Sequence, residues 1–559
     1  MKKRRSWRGT TWRSVKRNKR RSTKPVPIES GATARIVFNE VWAKLRTDDP
    51  GVVDATYRLL RFRPDGYQYM TKYRRGVWDG WVSLYQGRAG TFPGGLVGRV
   101  TTRLQELDVD VDIEDRAQSP LKEPQLAGGI NLKELRPYQV EAADCAMAAR
   151  NGVFEAATGT GKTEIMAEMI RRTACRSLII VASRDLAWQT IERFAGSDRE
   201  QQTLEFPNAP EHGLYGIVGD DQETPGLVTA ALYQTLVRRL MPVCLYCDAQ
   251  GELHQRTCDV KKGGKRCGGD LDFTQTEVVR EWLASFDAIH LDECHRAPAK
   301  TWWPVVNSCP AYWRFGYSAT PFKSDPITEL KLVGATGEIM YSFPAREAIE
   351  QGYLTKPFVV TVDPGFPSML DDGDTRYIDS YRDGIVEHVK RNRLIAEIAK
   401  GTSEGWSMST LILVQWTEHG RNIKRALREI GVRAEFISGT APTEKRRDVM
   451  HAMDDGRLNC VIATTIFDEG VNVPAIGALI LAGGGKARHK VVQRIGRGLR
   501  VVEGKKYLAV FDIWDSHGEK YLVKHARQRL RAVKDEGYAQ EMLTPKQVKA
   551  RIKKGDVRG

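Results

Sequence analysis

The sequence predicts an α/β protein whose main body is two consecutive doubly wound parallel-sheet domains. Both halves of the chain contain short apolar runs, such as SLIIVAS and TLILVQW, that alternate with amphipathic helical stretches. Strands that occur as apolar runs between helices are typical of parallel sheets covered on both faces. Ligands bind at the carboxyl ends of such strands. The runs are 177–183, 410–416, 460–465 and 478–483.

The overall composition is that of an ordinary globular protein. The 559 residues suffice for three or four domains, and 41% are hydrophobic and 28% charged. No apolar run reaches the ~18 residues that a membrane span needs. The basic N-terminus is not followed by an apolar core, so we expect no signal peptide. We therefore expect a monomeric, cytoplasmic protein without a membrane partner.

The net charge of +16 is concentrated at the N-terminus. Residues 1–24 hold twelve Lys or Arg and no acid; taking these twelve from the 86 basic residues leaves 74 against 70 acidic ones. A like-charge block of this density is expected to be disordered until it binds a polyanion, so residues 1–30 are predicted to be a basic arm. Trp7 and Trp12 offer ring faces that suit nucleic-acid bases. A solvated tail that only raises solubility is the alternative.

Four of the nine cysteines lie in one short segment. The other five are scattered, which argues against a disulfide framework and for a reducing compartment. Residues 241–272 are rich in Gly and Lys and poor in apolar residues, so we interpret them as an insertion held by structural Zn²⁺. His254 could replace one thiol, and a reduced surface loop is the alternative to zinc. The predicted ligands are Cys244, Cys247, Cys258 and Cys267.

Residues 151–166 (NGVFEAATGTGKTEIM) have the pattern of a phosphate-binding loop. A short apolar stretch leads into a Gly-rich loop, with Ala156 where such loops often have their first glycine, and then into helix-forming residues. Backbone N–H groups of such a loop surround phosphate at a helix N-terminus. Lys162 is expected to reach the β and γ phosphates of ATP, and the Thr163 hydroxyl to bind Mg²⁺. The predicted nucleotide contacts are Thr158, Gly159, Thr160, Gly161, Lys162, Thr163 and Glu164.

Residues 289–295 (IHLDECH) supply the carboxylates that such a loop needs. Asp292 and Glu293 follow an apolar run, so they should stand at a strand end. Asp292 is expected to hold Mg²⁺ through water, and Glu293 to orient and deprotonate the attacking water. Cys294 is interpreted as a buried filler and His295 as a link to the SAT segment at 318–320. A Cys–His nucleophile is the alternative interpretation.

The order of these motifs resembles that of superfamily 2 helicases over about residues 131–515. The resemblance implies two RecA-like domains, 131–350 and 351–515, with ATP in their cleft and Arg497 and Arg500 acting on the transferring phosphate. An arginine in that position is worth roughly 10³–10⁵ in rate. The matching segments are 135–139, 178–190, 228–236, 318–320, 411–420, 463–474 and 493–500; they imply nucleotide contacts at Gln139, Gly470 and Gln493 and strand contacts at Thr464 and Thr465.

Residues 31–118 are predicted to form a small α+β domain with a hairpin. Its segments MTKYRRGVWDGWVSLY and GTFPGGL resemble the N-terminal domain of phage branch-migration helicases of the UvsW type, which implies binding to duplex or junction DNA. Phosphate contacts are expected from Lys72, Arg74 and Arg75, and base stacking from Trp78 or Trp81. The alternative for both tryptophans is a place in the core.

Two further segments lie outside these domains. Residues 119–130 are predicted to be a linker. Residues 516–559 are predicted to be a basic helical tail, with packing on the helicase domains as its first role and DNA contact as its second.

Taken together, the motifs predict an ATP- and Mg²⁺-dependent DNA helicase or translocase that remodels forks or four-way junctions, encoded by a phage and acting in a bacterial host cell. Two alternatives belong to the same motor class: an RNA helicase and a restriction-type duplex translocase, the latter weakened because no clear nuclease signature is present. A third alternative is a scaffold that binds nucleic acid and uses ATP only as a switch.

Overall fold

The computed structural model describes most of the chain between residues 24 and 555. Within the described residues the chain divides into two compact units, one drawn from Met1–Glu155 and Thr163–Ser342, the other from Ala156–Lys162 and Phe343–Gly559. No helix in the described ranges is long and apolar enough to cross a membrane. Most of the predicted arm lies outside these ranges. The prediction of disorder is wrong for residues 24–30, because the Val26 and Glu29 N–H groups donate hydrogen bonds to Asp54 and Asp49. The described ranges are 24–64, 66–120, 134–195, 213–219, 222–253, 255–262, 265–299, 302–322, 326–367, 376–439, 441–464, 476–485, 491, 494–496, 498–499, 501, 505–517 and 521–555.

A mixed four-stranded sheet forms the predicted small α+β domain. Its elements are β1 (Thr33–Phe38), β2 (Trp42–Arg46), α1 (Pro50–Leu59), β3 (Arg61–Phe62), α2 (Thr71–Arg74), β4 (Val82–Ser83), β5 (Thr91–Pro93), α3 (Val97–Gln105) and β6 (Asp110–Asp115). The strand order is β5-β2-β1-β6, with β1 and β6 parallel. The short strands β3 and β4 form a separate antiparallel pair.

The first α/β domain contains an eight-stranded sheet. Its elements are α4 (Pro137–Ala149), β7 (Asn151–Ala156), α5 (Lys162–Thr173), β8 (Ser177–Val181), α6 (Arg184–Ala195), β9 (Tyr215–Gly219), β10 (Gln222–Thr224), β11 (Val228–Leu232), α7 (Tyr233–Leu240), β12 (Val243–Cys244), β13 (Lys261–Lys262), β14 (Lys265–Arg266), β15 (Leu271–Asp272), α8 (Thr274–Leu283), β16 (Ala288–Asp292), α9 (Trp302–Ser308), β17 (Trp313–Ser318), α10 (Pro326–Thr336) and β18 (Ile339–Phe343). The strand order is β10-β9-β11-β8-β16-β17-β7-β18, and the five neighbouring strands from β9 to β17 pair in parallel. Apolar side chains on both faces of these strands are buried, which explains their continuous apolar runs.

The small domain is fixed to the first α/β domain through α10. Leu330 and Val333 of this helix belong to the hydrophobic core of the small domain. Arg99 on α3 forms ion pairs with Glu338 and, at 2.8 Å, with Glu329. Because the two domains share a core, the small domain is not tethered only by its predicted linker, of which residues 121–130 lie outside the described ranges.

The second α/β domain contains a seven-stranded parallel sheet. Its elements are α11 (Ala345–Glu350), β19 (Pro357–Val362), α12 (Tyr377–Tyr381), α13 (Val389–Lys400), β20 (Thr410–Leu413), α14 (Thr417–Glu429), β21 (Glu435–Ile437), α15 (Thr443–Asp454), β22 (Cys460–Ala463), β23 (Ala478–Leu481), β24 (Leu508–Ile513), α16 (Leu522–Asp535), β25 (Ala539–Leu543) and α17 (Pro545–Lys554). The strand order is β21-β22-β20-β23-β24-β19-β25. Both domains therefore have the doubly wound architecture that the sequence predicted.

The described part of residues 516–559 packs on the second domain, the first role predicted for this segment, but it is not only a helical tail. The predicted basic helix is present as α16, but the chain then adds β25 to the edge of the second sheet, in parallel with β19. Leu543 and Val548 enter the core of that domain, and Trp406 Nε1 donates a 2.9 Å hydrogen bond to the Ile552 carbonyl. The C-terminal segment therefore completes the second domain.

Candidate active site and metal site

Three neighbouring strands of the first sheet end at the same edge and carry the predicted catalytic motifs. β17 lies between β16 and β7 and pairs in parallel with both. Asp292 is aligned with Tyr317, and Ser318 with Glu155, the residue before the phosphate-binding loop begins at Ala156. The order of strands therefore brings the Gly-rich loop, the DECH carboxylates and the SAT segment to one edge of the sheet, where α/β domains bind ligands.

The phosphate-binding loop has the backbone shape that its glycines permit. Gly159 and Gly161 have φ values of 92° and 82°, in the left-handed region that side chains disfavour. The buried Thr160 donates a 2.7 Å hydrogen bond from Oγ1 to the Ala157 carbonyl. Lys162 Nζ donates to the Ala156 carbonyl at 3.0 Å, so its ammonium lies against the loop. Successive N–H groups in such a turn before a helix form a concave anion site.

Two predicted nucleotide contacts have structural partners within the first domain. The Glu164 carboxylate pairs with Arg193, so it ties α5 to α6. Gln139 is buried on α4, and its Oε1 accepts a 2.9 Å hydrogen bond from the Arg136 backbone N–H, which fixes the orientation of the amide. The predicted contacts of both side chains with nucleotide remain predictions. Gly470, Gln493, Arg497 and Arg500 lie outside the described residues, as does Thr465.

Asp292 and Glu293 stand where the buried strand β16 ends. Ile289, His290 and Leu291 are fully buried, whereas Asp292 and Glu293 are half-exposed. Glu293 has φ 49° and ψ 51°, a left-handed conformation that is rare for a residue with a side chain, and its N–H donates to Asp292 Oδ1 at 3.0 Å. Such strain is concentrated at functional sites. The turn thus presents two adjacent carboxylates at the end of a buried strand.

His295 joins the DECH and SAT segments, as the sequence predicted. Its Nδ1 lies 3.2 Å from Ser318 Oγ and 3.2 Å from a carboxylate oxygen of Glu293. Ser318 Oγ in turn accepts a 3.2 Å hydrogen bond from the Thr320 N–H. Cys294 is fully buried in the core, which agrees with a packing role and not with a nucleophile.

A buried histidine and tyrosine beneath this site were not predicted from the sequence. His290 Nδ1 lies 3.0 Å from the Tyr317 hydroxyl, and the two rings stack. Burial lowers the pKa of His290 to about 3 and raises the pKa of Tyr317. A histidine within a strand's apolar run is the one sequence signal that could have indicated this pair.

The predicted nucleic-acid segments 178–190 and 228–236 are neighbours. β8 and β11 pair in parallel, and Gln234 Nε2 donates a 3.0 Å hydrogen bond to the Ala182 carbonyl just past β8. In the second domain, Thr464 is buried at the end of β22 and its N–H donates to the Ile437 carbonyl at 3.1 Å. The two segments of the first domain therefore lie side by side. The backbone N–H of Thr464 is used in a hydrogen bond within the second domain.

The four predicted zinc ligands converge. The sulfur atoms of Cys244, Cys247, Cys258 and Cys267 all lie within 4.8 Å of one another, with Cys244 3.8 Å from Cys267 and Cys247 3.6 Å from Cys258. Four thiolates bound tetrahedrally at about 2.3 Å from zinc would have sulfur atoms about 3.8 Å apart. A disulfide would need about 2.05 Å. The donor set therefore fits Zn²⁺; His254 lies outside the described residues.

In the small domain, the predicted cations and tryptophans differ in accessibility. Lys72, Arg74 and Arg75 are exposed. The Trp81 ring, in contrast, has the guanidinium groups of Arg61 and Arg63 at 4.1 Å and 4.6 Å from its centre. Trp78 is half-buried and donates its indole N–H to the Trp81 carbonyl at 2.7 Å. Trp81 is thus occupied by intramolecular cation–π contacts, which leaves it poorly suited to stack on a base.

Comparisons with known proteins agree with the order of the two α/β domains. Residues 132–323 match the family "Type III restriction enzyme, res subunit", and residues 390–502 match "Helicase conserved C-terminal domain". The two matches cover the two α/β domains in the order that the motifs predicted. The chain is a superfamily 2 helicase. Members of this superfamily hydrolyse ATP, so the helicase is an ATP-hydrolysing enzyme.

Individual relatives are distant. The helicase is 22% identical over 532 residues to the ATP-dependent DNA helicase uvsW of Enterobacteria phage T4. This match spans 88% of this chain and 96% of the relative. A protein of Sulfolobus islandicus filamentous virus is 25% identical over 46% of this chain, and that match spans about half, 48%, of the viral protein. The ATP-dependent Type ISP restriction-modification enzyme LlaBIII bound to DNA has a TM-score of 0.51 and 15% identity over 76% of this chain and 32% of that chain, which shows the fold.

Proposed function

We propose that this helicase is an ATP-dependent DNA helicase or translocase that remodels branched DNA, such as forks and four-way junctions. The observation that carries the proposal is the docking of the small domain on α10 through a shared core. This docking holds a second, cationic surface at a fixed position on the first α/β domain. The name of the phage T4 relative supports DNA as the substrate.

A fixed second surface matters because helicase domains alone grip a strand mostly by phosphate contacts that ignore sequence. Such a grip does not distinguish a branch from a single strand. A branch offers two arms, and two rigidly connected surfaces can hold both at once. Bivalency of this kind raises affinity by roughly 10²-fold or more without new chemistry. Translocation against an anchored arm would then move the branch point.

The nucleotide site supports the ATP-driven part of the proposal. Lys162 and the loop N–H groups would bind the phosphates of ATP, and Thr163 and Asp292 would hold Mg²⁺, which neutralises phosphate charge when bound. Glu293 would orient the attacking water and accept its proton. Arg497 and Arg500 are proposed to stabilise the transferring phosphate, on the strength of the resemblance alone.

We also propose that the cysteine cluster holds one structural Zn²⁺ ion. Support comes from the spacing of the four sulfur atoms, which suits tetrahedral ligation. The described part of the insertion has only two-residue strands. A segment with so little secondary structure is expected to depend on the metal for its folding.

The proposal extends to the setting of the reaction. We propose a monomer that acts in the cytoplasm of a bacterial host cell, and the match along 96% of a phage T4 helicase supports a phage origin. A duplex translocase without branch preference is the second candidate. It is favoured by the match of residues 132–323 to a restriction-enzyme subunit and by the fold shared with LlaBIII.

The decisive experiment is an ATPase and unwinding panel over single-stranded, linear duplex, forked and four-way DNA and RNA, with the full-length chain. Branched DNA should give the highest turnover and the tightest binding. Equal values for branched and linear duplex would support the duplex translocase, and the highest values with RNA would support an RNA helicase. ATP binding that alters DNA affinity without turnover would support a switched scaffold.

The contribution of the small domain is best tested with charge substitutions. Deleting residues 1–116 would uncover Leu330 and Val333, which the small domain buries. The variant Lys72→Gln/Arg74→Gln/Arg75→Gln should instead weaken branch binding while the shared core stays intact. Arg103→Gln on α3 is a matched control because it removes a half-exposed cation from the same domain.

A further inference from the structure

The loop that connects β3 and β4 exposes an apolar surface. Tyr69 and Val77 are each 75% exposed and Met70 is 42% exposed. Three large apolar side chains within nine residues of one another are thus open to solvent. Several exposed apolar side chains on one ordered loop are a candidate binding surface.

The backbone of this loop is ordered by a succession of short-range hydrogen bonds. The N–H groups of Tyr69, Met70 and Tyr73 donate to carbonyls three residues back, and those of Val77 and Trp78 both donate to the Lys72 carbonyl. The rings of Tyr67 and Tyr73 pack edge to face with centres 4.9 Å apart, and the Arg63 guanidinium lies 4.8 Å from the Tyr67 ring centre. The loop is therefore held at its base while Tyr69 and Val77 remain exposed.

The charge of this loop suits a polyanion. The loop, residues 63–81, contains four cations and two acids, and the cations Lys72, Arg74 and Arg75 are exposed. β6, at the edge of the four-stranded sheet, has the sequence DVDIED, which contains four acidic residues. The small domain thus has one cationic loop and one acidic strand. DNA phosphates would be attracted to the loop. The strand offers no such attraction, and three of its four carboxylates are ion-paired with Arg35, Arg116 and Arg150.

We propose that the tip formed by Tyr69 and Val77 packs on the last base pair of a duplex at a branch point, while Lys72, Arg74 and Arg75 bind the phosphates beside it. Tyr69 takes the stacking role because its ring is exposed, whereas the Trp81 ring is covered by Arg61 and Arg63. This proposal rests on the proposed function and names the part of the branch that the small domain recognises.

The shared core gives this tip a mechanical role. Arg99, Leu330 and Val333 fix the small domain to the first α/β domain. Because the tip cannot move away from that domain, it would block the duplex when the helicase pulls one DNA strand along the domain. The tip therefore acts as a wedge that keeps the two strands apart at the branch.

The test compares full-length Tyr69→Ser/Val77→Ser with Ile113→Ser. Ile113 is a matched control because it is an exposed apolar residue of the same domain, 46% exposed, on the acidic strand. The quantity measured is the ratio of fork affinity to single-strand affinity. Aromatic stacking on one base corresponds to about 5- to 150-fold in affinity, so the ratio should fall by that amount in the double variant and stay constant in the control.

A second readout is 2-aminopurine placed at the branch-point base pair. Its fluorescence should change when the wild-type helicase binds and should not change with Tyr69→Ser/Val77→Ser. If the wild type prefers forks but the double variant keeps both the ratio and the fluorescence change, the wedge is wrong and the proposed function stands. If the wild type shows no preference for forks over linear duplex, the proposed function itself fails.

Discussion

His295 Nδ1 and Ser318 Oγ lie 3.2 Å apart and join the ends of two adjacent parallel strands of the first sheet. The same imidazole nitrogen is 3.2 Å from the Glu293 carboxylate. The carboxylate proposed to activate water is therefore one hydrogen bond away from the histidine, and the histidine one further bond from the SAT segment. A shift in the position of the Glu293 carboxylate during ATP hydrolysis would therefore reach Ser318 through the two contacts of His295.

This relationship predicts that His295 and Ser318 act as a pair. His295→Ala and Ser318→Ala should each lower the number of base pairs unwound per ATP by about threefold to tenfold. Because both variants break the same bond, the double variant should be no worse than the poorer single variant, with a coupling energy of about 1 kcal/mol. Fully additive losses would show that the two residues act independently. Ser285→Ala is the control, since its hydroxyl donates to the Trp282 carbonyl.

The nucleotide site predicts that Lys162→Ala and Glu293→Gln lower DNA-stimulated ATP turnover by about 10²- to 10⁴-fold, the usual contribution of a positioned base or charge. Glu293→Gln should keep ATP binding, measured with a fluorescent nucleotide, because it retains the size of the side chain. Glu281→Gln removes an exposed carboxylate of α8 and serves as the control. Turnover at the wild-type rate in Lys162→Ala would mean that the loop is misassigned.

The cysteine cluster predicts about one zinc per chain in protein purified without chelators, measured by elemental analysis. Cys244→Ser should release the metal and make the insertion sensitive to limited proteolysis, because structural zinc contributes directly to folding. Cys145→Ser on α4 lies outside the cluster and should retain full zinc content. A metal-free wild type with the same proteolytic pattern would contradict the zinc site.

A buried ionic cluster predicts that the C-terminal segment is essential for the stability of the second domain. Arg529 on α16 bonds Asp512 at 2.9 Å and Asp515 at 3.3 Å, and Arg391 bonds Asp515 at 2.7 Å, all of them buried. Arg529→Met leaves the buried Asp512 carboxylate without the cation that it bonds, which costs about 3–5 kcal/mol. Urea unfolding should show the loss, whereas Arg531→Met, at an exposed site, should change stability by under about 0.5 kcal/mol. If the two variants lower the free energy of unfolding equally, the buried cluster does not stabilise the second domain.

The buried histidines predict that stability falls on acidification. Burial lowers the pKa of His290 to about 3 and the pKa of His419 well below its usual 6.5. For His290, the unfolded chain therefore binds a proton between pH 6.5 and about 3 that the folded chain does not. His290 should lower the free energy of unfolding by up to ~1.4 kcal/mol per pH unit in that window. His290→Gln should reduce the slope of the free energy of unfolding against pH by the contribution of about one proton. An unchanged slope would show that His290 is not buried as a neutral ring.

The local features of this helicase could be predicted from the sequence alone. The Gly-rich loop, the strand-end carboxylates and the cysteine spacing are each specified by residues close together in the chain. The rule that parallel strands carry ligands at their carboxyl ends predicted that Asp292 and Glu293 stand at a strand end, where they can serve the loop. The link from His295 to the SAT segment followed from the same reasoning.

Other features depended on partners far along the chain. Glu164 is paired with Arg193, and Trp81 is covered by Arg61 and Arg63, so neither residue's environment is visible in its own motif. The segment after residue 515 gave only the pattern of a basic helix, yet β25 pairs with β19, about 180 residues upstream. Sequence patterns specify which residues face a core or a phosphate, because those preferences are local. Packing between residues far apart in the chain decides which surfaces meet, and only the tertiary structure shows that packing.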